Sequence, residues 1–404
     1  MNIAFEAQPL FDRQKTGISY CESGLVKELI KNHPEDNFYF QYFSLRNHGE
    51  KENALRDYVR KNNANIDAYK CFSGRLYKLI TLVFPLPYKW FFKSKSDITH
   101  FFNYIVPPFV RGKTVVTVHD LTYITYPETM DRKTKIILKL TAKRSMKRAD
   151  KIIAVSQFTK NEIVKYIGIS SEKIDVVYNA VDLNLYRDDF TKSDIERIKE
   201  KYGLGGEYFL YLGTLEPRKN IQRLINAYAE LLKKHLNFPY LVIAGKKGWL
   251  YEKIFERVKQ LNIENKVIFT DYVPIEDAPI LMSGAKVFCY PSIYEGYGMP
   301  VIEAMACGAP VLTSDCGSLP EVAAGNAVMV DPLSEESIEN GLERLYLDEK
   351  LRSDLSEKGK DIAKKSEWKV QAEKLYEIYD KLNSTYKQKR EGTNEYKRNI
   401  RQNF

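Results

Sequence analysis

Two acidic residues, Glu295 and Glu303, stand out in the stretch YEGYGMPVIEA because seven residues separate them. Gly296 and Gly298 allow a backbone to approach a ligand closely, and Pro300 suits the first position of a helix. Amides at a helix N-terminus attract anions, so this turn predicts a diphosphate-binding site with Glu303 in the first helical turn. Glu303 suits the hydroxyls of a ribose and Glu295 those of a transferred sugar. The alternative is that both acids only favour the helix macrodipole on a solvated face.

A pair of cations, Arg218 and Lys219, occurs in YLGTLEPRKNIQRLI, which we interpret as a strand end, a turn and a helix whose start is set by Asn220. Two positive charges over a cleft can neutralise a diphosphate leaving group, which is the help that a divalent metal otherwise gives. The chain has no Asp-x-Asp pair of the kind that holds Mg²⁺ or Mn²⁺ in many nucleotide-sugar enzymes. We therefore expect no metal and no cofactor. The alternative is an ordinary pair of solvated surface cations.

Polar residues also follow strand candidates in the first half of the chain. TVVTVHDL ends a strand with His119 and Asp120, and KIIAVSQFTK ends another with Ser156. His119 could hydrogen-bond a sugar hydroxyl or steady charge at a reacting carbon. Ser156 is interpreted as a helix N-cap, a cleft ligand or both. In the loop QKTGIS, Gly17 would let the backbone approach the phosphates of a ligand.

Short apolar runs that alternate with helical patterns must position these residues. The strand candidates are NIAFEA, FYFQYFS, ITHFF, TVVTVHD, KIIAVS and KIDVVYN, then YFLYLG, YLVIAG, KVIFTDY, KVFCYPS, PVLTSD and AVMVDP. Runs without strict polar alternation suit strands of parallel sheets that helices cover on both faces. Ligands of such open sheets bind at the carboxyl ends of the strands. The predicted fold class is therefore α/β, with two Rossmann-like doubly wound domains facing each other across a cleft.

The polarity of the chain suggests its domain boundaries. We predict a first domain at 1–186, a polar linker at 187–206 and a second domain at 207–365. A C-terminal helix at 366–386 is expected to pack back on the first domain, ahead of a basic tail at 387–404.

Composition excludes several classes of protein. A length of 404 residues exceeds the ~250 to 300 at which one core stops growing. No apolar run reaches the ~18 residues of a membrane helix, and MNIAFEAQPL lacks the apolar region of a signal peptide. The five cysteines are scattered, so we expect reduced thiols and a cytoplasmic location. The net charge of +9 permits anionic partners, but no nucleic-acid-binding signature accompanies the dispersed basic residues, and we expect no nucleic acid.

The motifs EGYGMPVIEAMACGAPV, GTLEPRKN, FTDYVP and SLPEV together resemble the retaining glycosyltransferases of the GT-B fold. That large family includes bacterial mannosyltransferases of lipopolysaccharide, capsule and phosphatidylinositol mannoside synthesis. The resemblance covers nearly the whole chain and is densest from Tyr208 to Pro332. It implies metal-independent transfer of a hexose from a nucleotide-diphosphate sugar, with retention of configuration. GTLEPRKN is most similar to mannosyltransferases that use GDP-mannose, and UDP- and dTDP-sugars are the alternative donors.

The resemblance also implies roles for individual residues. Glu295 would position the donor hexose and Glu303 the ribose, while His119 and Ser156 match a strand-end histidine and a helix-start serine of the family. Many relatives carry Arg where Thr214 stands, so Arg218 is expected to contact the diphosphate without that second Arg. We assign sugar or acceptor contacts to His119, Asp120 and Ser156. Residues expected to contact the donor are Gly17, Thr214, Arg218, Lys219, Tyr272, Val273, Glu295, Gly296, Tyr297, Gly298, Met299 and Glu303, with the Tyr272–Val273 loop holding the nucleobase through backbone groups.

A retaining enzyme must deliver the acceptor to the face that the nucleotide leaves. The sequence shows no convincing nucleophile, so we expect same-face attack, with a departing phosphate oxygen taking the acceptor's proton. Closure of the two domains is expected to assemble the site.

The segment SGRLYKLITLVFPLPYKWFFKSKS mixes basic and aromatic residues, as does a surface that rests on an anionic membrane, and KRSMKRADK adds a second basic cluster. One interpretation is peripheral binding to the inner leaflet, where a glycan or lipid-linked glycan would be the acceptor. The other is ordinary helices flanking an acceptor groove, since Pro85 and Pro87 prevent one continuous amphipathic helix.

Other classes of function remain open from the sequence. A nucleotide-sugar epimerase or hydrolase would need no acceptor. A noncatalytic sugar-binding module would tolerate the loss of Glu295.

Overall fold

Two parallel β-sheets dominate the computed structural model, which describes residues 1–11, 17–44 and 50–384. The strands of the first sheet are β1 (Asn2–Glu6), β2 (Asn37–Phe43), β3 (Asn65–Tyr69), β4 (Ile98–Phe101), β5 (Lys113–Val118), β6 (Lys151–Ala154) and β7 (Ile174–Val176). Those of the second are β8 (Tyr208–Leu212), β9 (Tyr240–Ala244), β10 (Val267–Asp271), β11 (Val287–Tyr290), β12 (Val311–Ser314) and β13 (Val328–Val330).

Helices cover both sheets and connect successive strands. They are α1 (Gly17–Asn32), α2 (Glu50–Lys61), α3 (Gly74–Val83), α4 (Thr122–Thr125), α5 (Arg132–Arg148), α6 (Gln157–Glu162), α7 (Lys192–Lys201), α8 (Ile221–Lys234), α9 (Glu252–Gln260), α10 (Ala278–Ser283), α11 (Met299–Ala306), α12 (Leu319–Ala323), α13 (Glu335–Leu347), α14 (Glu349–Lys365) and α15 (residues 368–384). Side chains of Ser73, Asp131 and Ser334 accept hydrogen bonds from the first amides of α3, α5 and α13, which fixes where these helices begin.

The order of strands creates one crevice in each sheet. The first sheet runs β3-β2-β1-β4-β5-β6-β7 and the second β10-β9-β8-β11-β12-β13. Chain order reverses beside the first strand of each sheet, between β1 and β4 and between β8 and β11. Such a reversal leaves a gap between the connecting helices at the carboxyl ends of the strands. The expected pair of doubly wound α/β domains is confirmed.

The last helix crosses back to the first domain. Ala372, Leu375 and Tyr379 of α15 are fully buried in the core around β1 and β2. The Tyr379 hydroxyl lies 2.5 Å from Nδ1 of buried His100 in β4. At the start of α15, Trp368 packs where a Cβ on Gly24 would stand, 2.4 Å from its ring. The expected return of the C-terminal helix is therefore observed.

Two features differ from the sequence prediction. Strand β3 was not predicted, because at the sheet's edge its residues are only partly buried and its sequence NIDAY mixes polar and apolar types. The segment 187–206 contains helix α7, whose Ile198 is buried in the second core. The domain boundaries themselves stay predictions, and the tail 387–404 lies outside the described residues.

No helix in the described ranges is both long and apolar enough to cross a membrane. Helix α3 ends at Val83, and a separate helical turn follows at Tyr88–Trp90. The break expected at Pro85 and Pro87 is therefore present.

Candidate active site

The loops after β8 and β11 meet above the crevice of the second sheet. Asn220 holds them together, because its side-chain amide donates to the carbonyls of Pro291 at 3.0 Å and Pro332 at 2.6 Å. The amide of Ile293 donates to the carbonyl of Arg218 at 2.9 Å. Asn220 precedes α8 as predicted, but in a left-handed conformation (φ 61°) and without a side-chain cap on the helix. Its buried amide instead fixes two loops distant in sequence.

Glu295 is the best-connected side chain of this crevice. One carboxylate oxygen accepts from the Lys219 ammonium at 2.6 Å, the Tyr290 hydroxyl at 3.0 Å and the Ser292 hydroxyl at 2.7 Å. The other oxygen accepts from Arg218 at 2.8 Å. Two cations and two hydroxyls therefore fix the orientation of the carboxylate before any ligand arrives.

The charges at this point nearly balance. Burial opposes ionisation of Glu295, which is 7% exposed, but Arg218 and Lys219 outweigh burial and hold the pKa of this carboxyl at about 2. Arg218 also forms an ion pair with Glu216 at 2.8 Å. Without a ligand, two carboxylates thus neutralise the two predicted phosphate-binding cations. A bound diphosphate would have to share Arg218 and Lys219 with these carboxylates.

The glycine turn leads from Glu295 into helix α11. Gly298 precedes the helix with φ 101°, a conformation that favours glycine. The helix starts at Met299, so Pro300 occupies its second position rather than the first. Glu303 consequently lies just beyond the first helical turn, not inside it.

Glu303 is a half-buried carboxyl, and among the described residues no cation contributes to its pKa. Burial raises its pKa to about 7, although a hydrogen bond from the Tyr186 hydroxyl partly offsets this effect. Tyr186 lies between strand β7 of the first sheet and helix α7. A group that titrates near neutral pH and lines a cleft is a candidate ligand contact.

The first domain contributes His119 and Asp120 to the same cleft. Nε2 of His119 donates to the carbonyl of Phe102 at 2.7 Å, which leaves Nδ1 of the neutral ring as an acceptor. Burial lowers the pKa of His119, so the ring is neutral at physiological pH. The Asp120 carboxylate accepts from the amide of Thr122 at 3.0 Å, and its backbone amide donates to the Tyr104 hydroxyl.

Ser156 is fully buried and joins the two domains. Its hydroxyl accepts from the amide of Thr159, as a helix N-cap does, and donates to the carbonyl of Gly296 at 2.6 Å. The interpretation of Ser156 as the N-cap of α6 thus agrees with the geometry. The ligand contact stays a prediction, and in this arrangement the hydroxyl is already used by protein partners.

One cavity of about 430 Å³ unites most of the predicted residues. The predicted residues lining it are Gly17, His119, Asp120, Thr214, Arg218, Lys219, Tyr272, Val273, Glu295, Gly296, Tyr297, Gly298, Met299 and Glu303. Gly17 is the first residue of α1, while residues 14–16 of the loop QKTGIS lie outside the described residues. The binding roles of the residues that line this cavity stay predictions, but both halves of the chain contribute side chains to it.

Sequence reasoning missed several polar neighbours of this cavity. Glu216, Tyr290 and Ser292 are within the same conspicuous motifs, and their nearness to Arg218, Lys219 and Glu295 in sequence was the available signal. Tyr186 carried no such signal, because its contact with Glu303 depends on how the connecting segment packs. In the described part of the chain, no cluster of three His, Cys, Asp or Glu side chains is arranged to hold a metal ion.

Comparison with protein families gives two adjacent matches. The model described as "Glycosyltransferase Family 4" matches residues 25–185, and that described as "Glycosyl transferases group 1" matches residues 194–362.

Individual relatives have related names. O-antigen chain mannosyltransferase B of Escherichia coli is 29% identical over 374 residues, which are 91% of this chain and 96% of the relative. O-antigen chain mannosyltransferase RfbU of Salmonella typhimurium is 33% identical over 240 residues, 59% of this chain and 62% of the relative. The serotype-specific mannosyltransferase WbdA of Escherichia coli is 33% identical over 58% of this chain, and the chain spans 29% of that longer protein.

Solved structures share the architecture. Anabaena HepE in complex with UDP and glucose aligns with a TM-score of 0.69 at 18% identity, over 94% of this chain and 100% of that chain. The lipopolysaccharide-biosynthesis glycosyltransferase WaaG aligns with a TM-score of 0.65 at 16% identity, over 93% and 99%. At such identities the likeness concerns the fold.

Proposed function

The chain is a glycosyltransferase of the GT-B fold, and from this premise we propose that it moves mannose from GDP-mannose to a bacterial surface polysaccharide, with retention and without a metal. The acceptor would be a glycan or a lipid-linked glycan. The observation that carries the proposal is the convergence of Glu295, its two cations and Glu303 on one cleft that His119 closes from the other domain.

The choice of mannose rests on the relatives. The two O-antigen enzymes and the serotype-specific enzyme are named mannosyltransferases. O-antigen chains are surface polysaccharides, which favours a glycan acceptor. The nucleotide rests on the GTLEPRKN segment, whose form is similar to that of enzymes using GDP-mannose. UDP-sugars are the alternative, and HepE was solved with UDP and glucose.

Retention through same-face attack agrees with the surroundings of Glu295. A nucleophilic carboxylate needs a free oxygen close to the reacting carbon. Here one oxygen already accepts from three donors and the other from Arg218. A carboxylate held in this way suits positioning better than attack. The departing phosphate oxygen would then take the proton of the acceptor hydroxyl.

Metal independence is proposed because the protein supplies its own positive charge. Arg218 and Lys219 emerge together on the helical turn Pro217–Lys219 at the carboxyl edge of β8. Charge that develops on the diphosphate as the sugar bond breaks would draw both cations from their carboxylate partners. Arg218 is the expected principal contact, because Thr214 lacks charge.

Contact with an anionic membrane is a further part of the proposal. In and after α3, Leu79, Phe84 and Trp90 are 60%, 66% and 68% exposed. Lys89 is exposed beside Trp90. In α5, Ile136 and Leu140 are 48% and 58% exposed among exposed basic residues. Exposed apolar side chains among lysines suit a lipid surface with acidic headgroups on the inner face of the plasma membrane.

Flotation with vesicles tests this contact. The chain should float with vesicles of phosphatidylcholine and phosphatidylglycerol at low salt, less so at high salt, and poorly with phosphatidylcholine alone. Trp90→Ser should weaken flotation, and Leu236→Ser, at a 97% exposed position in the second domain, should not. No binding to acidic vesicles at low salt would contradict the membrane contact.

A donor screen followed by product analysis tests the transfer itself. Among GDP-, UDP- and dTDP-sugars, GDP-mannose should raise the unfolding temperature most. With a mannan oligosaccharide acceptor, NMR of the anomeric proton should show an α-linkage from the α-configured donor, and EDTA should leave the rate unchanged. Loss of the rate in EDTA would refute metal independence. Accumulation of a glycosyl-enzyme adduct in the Glu295→Gln variant would refute same-face attack.

A further inference from the structure

Tyr294, directly before Glu295, inserts its side chain into the opposite domain. The residue is 2% exposed, although it sits on a loop of the second sheet. Its hydroxyl accepts from the amide of Leu121 at 2.9 Å and donates to the carboxylate of Glu162. Both partners belong to the first domain and are 173 and 132 positions away. The side chain is therefore a plug from one domain in a socket of the other.

Aromatic rings form the walls of that socket. The ring centroids of Tyr126 and Phe158 lie 5.3 and 5.7 Å from that of Tyr294. Glu162 is 8% exposed, and burial raises the pKa of its carboxyl. Because buried polar groups need partners, withdrawal of Tyr294 would leave Glu162 and the Leu121 amide to be hydrated.

The backbone of Tyr294 takes part in the donor site. Its carbonyl accepts from Arg218 at 2.7 Å, and the same Arg218 nitrogen lies 2.8 Å from the Glu295 carboxylate. One residue thus contacts the first domain through its side chain and the principal predicted phosphate contact through its main chain. A shift of this residue would move Arg218 and Glu295 together.

Neighbouring contacts close the same seam. The carbonyl of Gly296 accepts from the hydroxyls of Ser156 and Thr159. On α12, the Glu321 carboxylate accepts from the amides of Gln157 and Phe158, at 2.9 and 3.2 Å. The closed arrangement of the domains therefore has direct polar contacts on both sides of Tyr294.

We propose that Tyr294 is a positioning residue that couples closure of the domains to the placement of Arg218 and Glu295. In the closed form the plug fixes the loop from Tyr290 to Gly296 in the geometry described above. In an open form the plug leaves its socket, and the loop loses its anchor in the first domain. The inference rests on the proposed donor roles of Arg218 and Glu295. It adds a residue that touches neither donor nor acceptor.

Removing one hydroxyl tests the coupling. Tyr294→Phe keeps the ring in its socket but loses both hydrogen bonds of the oxygen. Since a hydrogen bond to a charged group contributes substantially, kcat should fall about 10-fold or more. Glu162→Gln should lower kcat in the same direction. Because both changes interrupt one contact, the double variant should be little worse than the poorer single variant.

Three readouts separate positioning from mere structural support. GDP affinity by calorimetry should fall much less than kcat, because the plug acts on the nucleotide only through Arg218. The unfolding midpoint in urea should fall less than that of a core variant, since the ring stays buried. Small-angle scattering of the ligand-free chain should show a larger radius of gyration for Tyr294→Phe than for the parent. Tyr166→Phe, whose residue is 41% exposed, is the control and should match the parent in all measurements.

The outcomes distinguish this proposal from the proposed function. If Tyr294→Phe turns over at the parent rate, or scatters identically, the coupling is wrong even when the parent is a mannosyltransferase. If affinity, rate and stability all fall together, the role is structural and the coupling is also wrong. If the parent transfers no mannose but Tyr294→Phe still increases the radius of gyration of the ligand-free chain, the proposed function is wrong and the role of Tyr294 in closure is supported.

Discussion

The pKa of Glu303 leads to a quantitative prediction for donor binding. Desolvation of this half-buried side chain raises the pKa of the carboxyl to about 7. Ribose hydroxyls donate to a carboxylate, so the proposed contact requires the ionised form. With a pKa near 7, about 90% of the carboxyl is ionised at pH 8 and about 10% at pH 6. The Kd for GDP-mannose should therefore rise about tenfold when the pH falls from 8 to 6.

Calorimetry in several buffers measures this effect. GDP-mannose is preferable to GDP, because the terminal phosphate of GDP titrates in the same pH range. Since binding favours ionised Glu303, about half a proton should leave the protein per ligand bound at pH 7. That release appears as a dependence of the measured heat on the ionisation enthalpy of the buffer.

Two variants sharpen the assignment to Glu303. Glu303→Gln should bind more weakly at pH 8 and lose the dependence on pH. Tyr186→Phe removes the hydrogen bond that lowers the pKa, so the midpoint of the pH dependence should move upward. An affinity that is flat from pH 6 to 8, or a pH dependence that survives in Glu303→Gln, would rule out ionised Glu303 as the ribose contact.

Three further predictions concern the site and its scaffold. Glu295→Gln should lower kcat at least about 100-fold. GDP should bind the variant as well as the parent or better, because Arg218 and Lys219 lose a competing carboxylate. Weaker GDP binding in calorimetry would contradict this prediction. Gly296→Ala should prevent closure and abolish transfer, because the added carbon would stand 1.7 Å from a carbonyl oxygen of the first domain. The control Gly206→Ala should be active, because the nearest atom to its added carbon is 3.6 Å away. Equal activity of the two variants would contradict this prediction. Tyr379→Phe should destabilise the chain by about 1 kcal/mol in urea unfolding, because buried His100 loses a partner, and an unchanged midpoint would argue against this anchor of α15.

The sequence was sufficient for most of the fold because local patterns determine it. Each strand of the second sheet is a short apolar run followed by a turn, and all six were predicted. The same holds for β1, β2 and β4 to β7. Edge strand β3 escaped notice because its residues are only partly buried, so it lacks the apolar run that marks a central strand.

The candidate site divides along a similar line. Arg218, Lys219, Glu295 and Glu303 were recognisable because the glycines and strand ends beside them are local signals. Their mutual neutralisation was not predicted, since it depends on the approach of two loops that are over 70 positions apart. The contacts of the Tyr294 plug could not be predicted from local sequence either, because its partners lie in the other domain.

The decisive experiment is a crystal structure with intact GDP-mannose. The diphosphate should lie within hydrogen-bond distance of Arg218 and Lys219, the ribose on Glu303 and the mannose beside Glu295 and His119. A ligand bound elsewhere, with both carboxylates facing bulk water, would contradict this placement.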